Sequence, residues 1–118
     1  MTKVYTKTGM WLKEVEPNTV VIGMSPKGQD DIGEVGFFEY LDDERITYDE
    51  PFVAIEGSKA VSEIPAPITG TIIEKNETLL DSPETLSAEG DENTWMMKVS
   101  VDNFNAADYL AEDLPIED

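Results

Sequence analysis

Glu56-Gly57-Ser58-Lys59-Ala60-Val61-Ser62-Glu63-Ile64-Pro65-Ala66-Pro67-Ile68-Thr69-Gly70-Thr71-Ile72 is the stretch that decides the fold. Two short runs, Pro51–Glu56 and Ala60–Ile64, read as strands on either side of Gly57-Ser58-Lys59. Gly, Ser and Lys all suit an exposed tip, so the segment predicts a β-hairpin with Lys59 at its turn. Pro65-Ala66-Pro67 cannot sit inside a central strand, so it marks an edge or a crossing point. Ile68–Asn76 then reads as a further strand, bent at Gly70.

Outward from the hairpin the pattern stays mostly β. Strands are expected at Val4–Tyr5, Trp11–Val15, Thr19–Met24, Val35–Leu41, Ile46–Tyr48 and Trp95–Val101, with a turn at Pro17-Asn18. Ser25-Pro26 has the form of a helix start, a serine cap followed by proline at the first helical position. Gly33 ends that helix within eight residues. Pro83–Ser87 suits one helical turn. Asn103–Glu112 places Phe104, Ala107, Leu110 and Ala111 on one side of a terminal helix. Phe37 and Phe38 adjoin on a strand and must face opposite ways, one into the core and the other free to border a surface groove. Trp11 and Trp95 are expected as core anchors. The whole is read as one domain over residues 1–118, with a core of about 4–112 and a loose acidic tail, Asp113–Asp118.

Composition removes several chemistries. The 118 residues include no cysteine and no histidine, so disulfides, thiolate metal sites, a cysteine nucleophile and the commonest general base are absent. No metal site is expected. Lys and Arg number 8 against 26 Asp and Glu, a net charge of −18. That charge repels nucleic-acid backbones and anionic membranes, and favours a soluble monomer whose partners present basic faces. No apolar stretch approaches the roughly 20 residues of a membrane span, and no signal segment is visible, so a cytoplasmic location is expected. An enzyme would have to work with carboxylates, Lys, Ser or Tyr, and the acids scatter among turns without converging.

The quoted stretch resembles the attachment segment of lipoyl domains. That family has an acidic residue, two variable residues, Lys-Ala, an acidic-apolar-Pro/Ala-Pro run, and a glycine about eleven residues past the lysine. Biotinyl domains usually flank the lysine with Met, whereas Ser58 and Ala60 stand here. Tyr5-Thr6-Lys7 with Trp11, Val21–Ser25 with Gln29, Asp30, Gly33 and Val35, and Trp95–Val99 extend the likeness, to the glycine cleavage H-protein family, over roughly residues 5–112. The resemblance implies a mainly β, lipoyl-type β-sandwich or flattened barrel with short helices, including one at the C-terminus. It implies a carrier that is not itself an enzyme, with lipoate in amide linkage to Lys59. It also implies Glu56, Gly57, Ser58, Ala60 and Glu63 as the residues a lipoate ligase or lipoyl transferase recognises, and the glycine cleavage enzymes as partners.

Such an arm must travel between active sites, and a firm hairpin with a free side chain suits that need. The strained dithiolane ring, unable to reach the relaxed disulfide dihedral of about 90°, opens readily to thiols.

One departure points to a second reading. The family has an acid preceded by a histidine just before the first tryptophan, where this chain has Gly9 and Met10. Gln29–Gly33 and Val35–Glu39 are more similar to divergent H-like proteins. That likeness implies a lipoylated carrier in a redox, stress or lipoate-relay role, with a sirtuin and a macrodomain protein as partners. ADP-ribosylation is part of the same expectation, with Asp30 or Asp31 as acceptor. A structural adaptor with an acidic docking surface is the remaining alternative.

Overall fold

The computed structural model describes residues 3–116. Among the described residues, nine strands form two antiparallel sheets. The strands are β1 (Lys3–Tyr5), β2 (Met10–Glu16), β3 (Thr19–Met24), β4 (Val35–Tyr40), β5 (Arg45–Ile46), β6 (Pro51–Gly57), β7 (Val61–Pro65), β8 (Gly70–Lys75) and β9 (Trp95–Ser100). The larger sheet has the order β1-β2-β3-β9-β8-β5 and the smaller has β4-β6-β7. Short helices α1 (Pro26–Ile32), α2 (Thr78–Asp81) and α3 (Asp91–Thr94) fill the connections. The result is a mainly β sandwich with short helices, as the family resemblance implied.

Alternation builds the core. Leu12, Ile22, Met97 and Val99 of the larger sheet and Phe38, Val53, Ile55 and Ile64 of the smaller are buried in one cluster. Phe38 is inside and Phe37 is on the outer face, as adjacent strand residues must be. Trp11 is buried, with its indole N–H donating to Thr94 Oγ1 at 3.2 Å. Gly23 lies opposite it in the sheet, and a Cβ there would overlap the indole. Trp95 is only half-buried.

Several expected elements change length. The turn at Pro17-Asn18 forms with Asn18 at φ 61°. The strand expected over Ile68–Asn76 begins at Gly70, and Pro65 closes β7, an edge strand where its missing N–H does no harm. The terminal helical segment is a 3-10 turn at Ala106–Asp108, shorter than the pattern over Asn103–Glu112 suggests. Backbone pairing explains this: Leu110 exchanges hydrogen bonds with Tyr5, at 2.8 and 2.9 Å, which a helix would forbid. The start of the tail is not loose. Asp113 accepts from Ser25 Oγ and from Lys27 N–H, both at 2.9 Å, and so ties residue 113 to the first turn of α1.

Candidate functional site

The site is assembled where the β6–β7 hairpin meets the end of α1. Ser25 caps α1, its Oγ accepting from Gly28 N–H, and Pro26 opens the helix. Gly33 ends it with φ 80° and ψ −158°, a conformation open almost only to glycine. Its N–H donates to Gln29 O. The Gln29 side chain donates to Leu86 O and Ala88 O, at 2.9 and 2.7 Å, which pins α1 to the 3-10 turn at Pro83–Ser87.

The hairpin closes through Gly57 N–H donating to Ala60 O at 2.9 Å. Three further bonds sew its tip to the α1–β4 junction. Ser58 N–H donates to Glu34 O at 2.9 Å, Glu34 N–H donates to Ser58 Oγ at 3.0 Å, and Lys59 N–H donates to Ile32 O at 3.0 Å. The approach is close enough that a Cβ on Gly57 would overlap Ile32 O, and one on Gly33 would overlap Ser58 Oγ.

Lys59 therefore has a fixed backbone and an open side chain, 59% exposed. Its Nζ donates to Asp30 O at 2.9 Å and lies 3.5 Å from the Asp30 carboxylate. The carbonyls at a helix end lack intrahelical donors and carry partial negative charge. Lys59 supplies donors to two of them, Asp30 O through Nζ and Ile32 O through its amide.

The other residues picked from the sequence divide into groups. Ser58 and Ala60 are exposed and Gly57 half-buried, all at the tip. Glu56 and Glu63 are exposed on the outward face of the smaller sheet. Asp30 and Asp31 lie in the last turn of α1. Asp30 faces Lys59, while Asp31 pairs with Lys27 at 2.8 Å. The contact from Asp30 to Lys59 spans 29 residues, and nothing local in the sequence announces it.

A groove of about 260 Å³ runs beside the tip, lined by Thr8, Gly28, Asp31, Ile32, Ala60 and Ser62 among others. Phe37 does not border it, because that side chain is on the other face of the sheet. Met10 is fully buried, and Gly9 packs against the backbone of Gly28. No group of acids able to hold a metal ion occurs among the described residues, and no helix there is long and apolar enough to cross a membrane.

Fold and site together define a class: a rigid two-sheet β scaffold that holds one lysine out at the tip of a hairpin. The family model described as glycine cleavage H-protein matches residues 3–117. The glycine cleavage system H protein of Staphylococcus haemolyticus is 38% identical over 107 residues, covering 90% of this chain and 84% of that one. The glycine cleavage system H-like protein of Staphylococcus aureus is 35% identical over 102 residues, covering 86% and 90%. A crystal structure of a glycine cleavage system H protein from Mycobacterium marinum has the same fold, with a TM-score of 0.76 at 21% identity over 87% and 86% of the two chains. The chain belongs to the glycine cleavage H-protein family.

Proposed function

We propose that the protein is a lipoyl carrier, joined to lipoate by an amide at Lys59, with no catalytic step of its own. One observation carries the reading: an open lysine side chain on a backbone fixed by hydrogen bonds to two other elements. The tip fits an acylated lysine, because Ser58 and Ala60 beside it are small and exposed and leave room for an acylating enzyme. When bound, lipoate supplies the disulfide–dithiol chemistry that a cysteine-free chain lacks. The chain's own residues position the arm. Gly33 and Gly57 permit the close docking of the tip, and Ser58 ties it to Glu34.

A lipoate ligase or lipoyl transferase would load Lys59, reading Glu56, Gly57, Ser58, Ala60 and Glu63 around it, and the glycine cleavage enzymes would use the arm. The test is intact mass of the protein from lipoate-fed cells that contain an active ligase. One lipoyl addition, lost in Lys59→Ala, is expected. Wild-type protein that stays unmodified under those conditions defeats the reading.

A second reading keeps the arm and changes its use. Met10 is buried with no exposure at the position where the family resemblance places a carboxylate, and no histidine is present. That favours a redox, stress or lipoate-relay role in the cytoplasm over glycine cleavage. Asp30 or Asp31 would then be the ADP-ribose acceptor, and a sirtuin and a macrodomain protein the partners. A reconstituted glycine decarboxylase assay separates the two: full turnover with this carrier excludes the second.

A further inference from the structure

Strand register brings together six side chains that no linear motif contains. In β4, β6 and β7 the residues Phe37, Glu56 and Val61 form one cross-strand row. Glu39, Ala54 and Glu63 form the next row on the same outward face. The opposite face of these strands holds buried Phe38, Ile55 and Ile64. The outward face is thus a chequerboard, apolar Phe37, Ala54 and Val61 alternating with three carboxylates. Phe37 is 47% exposed and Val61 is 77% exposed, so both large apolar side chains stand open to solvent. Among the described residues, no lysine or arginine is in ion-pair range of Glu39, Glu56 or Glu63.

An isolated surface phenylalanine needs no explanation, but this pattern is not isolated. It holds uncompensated negative charge between apolar contacts, and two of its three strands run directly into the Lys59 tip. Glu56 lies diagonal to Glu39 and Glu63 and no two of the acids are directly opposite, so they coexist at little cost and leave a negative face that a positively charged partner complements.

We infer that the outward face of the β4–β6–β7 sheet is the docking surface for the enzyme that acylates Lys59, and that this enzyme presents arginine or lysine side chains interleaved with an apolar patch. The inference rests on Lys59 being the acylated residue, and adds to it a recognition surface that extends across the sheet to Phe37 and Glu39. Charge complementarity and continuity with the tip both favour this partner: Glu56 and Val61 are three and two residues from Lys59. An enzyme reaching Nζ from the side of the hairpin away from α1 meets this face. On the other side, the end of α1 occupies the approach through Asp30 and Ile32.

The experiment is steady-state acylation with a lipoate ligase, ATP and lipoate, varying the full-length carrier. Phe37→Ser should raise KM for the carrier about tenfold with kcat unchanged, and Phe37→Leu should restore most of it. Val61→Ser provides an independent second probe, expected in the same direction. Glu39→Gln with Glu63→Gln should raise KM at low salt and flatten its dependence on ionic strength. Ile73→Ser, which removes an apolar side chain 54% exposed on β8, should change nothing. If the face variants keep wild-type KM and salt dependence while Lys59→Ala abolishes acylation, the docking surface is wrong and the carrier reading stands. If wild-type protein is not acylated at Lys59, the carrier reading itself fails.

Discussion

Replacing Gly33 with alanine tests how the tip is held. Gly33 has φ 80° and ψ −158°, where an L-residue costs about 1–3 kcal/mol of backbone strain. The added Cβ also runs into Ser58 Oγ and the backbone and side chain of Lys59, so the tip must move away from α1. Moving it weakens at least two hydrogen bonds, from Glu34 N–H to Ser58 Oγ and from Lys59 N–H to Ile32 O, each worth about 0.5–1.5 kcal/mol net. Together these give a loss of about 3 kcal/mol. Equilibrium urea unfolding reads it as a fall in midpoint of about 1–3 M, for a slope of about 1–3 kcal/mol/M. The variant should also lose ligase efficiency, because Lys59 no longer has one backbone position. A Gly33→Ala protein within about 0.5 kcal/mol of wild type, and acylated at the same rate, would refute the docking argument.

Other sites probe the scaffold. Phe38→Ala should cost about 3–5 kcal/mol as a core truncation, whereas Phe37→Ala on the outer face should cost under about 1 kcal/mol. Similar losses in the two urea titrations would contradict the placement of Phe38 inside and Phe37 outside, and a larger loss for Phe37→Ala would mean that the two faces are inverted. Asp91 carries a pH dependence. Partial burial pushes its carboxyl up, but hydrogen bonds and charge from Lys13 and Lys3, at 2.8 and 2.6 Å, outweigh that and hold it below its usual range. A lowered carboxylate stabilises the fold above its unfolded value, and that stability is lost as pH falls through the folded one. Because Asp91 is about one-third exposed, the gain is screened to below about 1 kcal/mol. Asp91→Asn should therefore be slightly less stable than wild type at pH 7, with the gap narrowing as pH falls below about 4. A gap that is constant with pH contradicts the ion-pair account.

The hairpin and its lysine are legible in the sequence because every signal for them is local: glycine and serine at the turn, β-branched runs beside it, and prolines where the edge begins. The start and stop of α1 are local in the same way, set by Ser25, Pro26 and Gly33. What depends on distant pairing is not legible. Phe104, Ala107 and Leu110 carry helical spacing, yet the Leu110 backbone is taken by Tyr5 and most of the helix is not formed. The helix α3 gives no periodic signal in four residues. In the site, Asp30 and Asp31 stand out as adjacent acids; the Asp31–Lys27 pair is a local i,i+4 contact of α1, but only the fold shows that Asp30 faces Lys59, 29 residues away. The row of Phe37, Glu56 and Val61 depends on register across three strands, including an irregularity between Val35 and Phe37.

Lys59 is proposed as the one lysine built for acylation. Lys7 is the natural internal control, since it too is exposed, on the loop between β1 and β2. Peptide mapping by mass spectrometry after ligase, ATP and lipoate treatment should place the whole lipoyl signal on the peptide holding Lys59 and none on Lys7. Signal spread over both lysines, or found only away from the hairpin, would contradict the account.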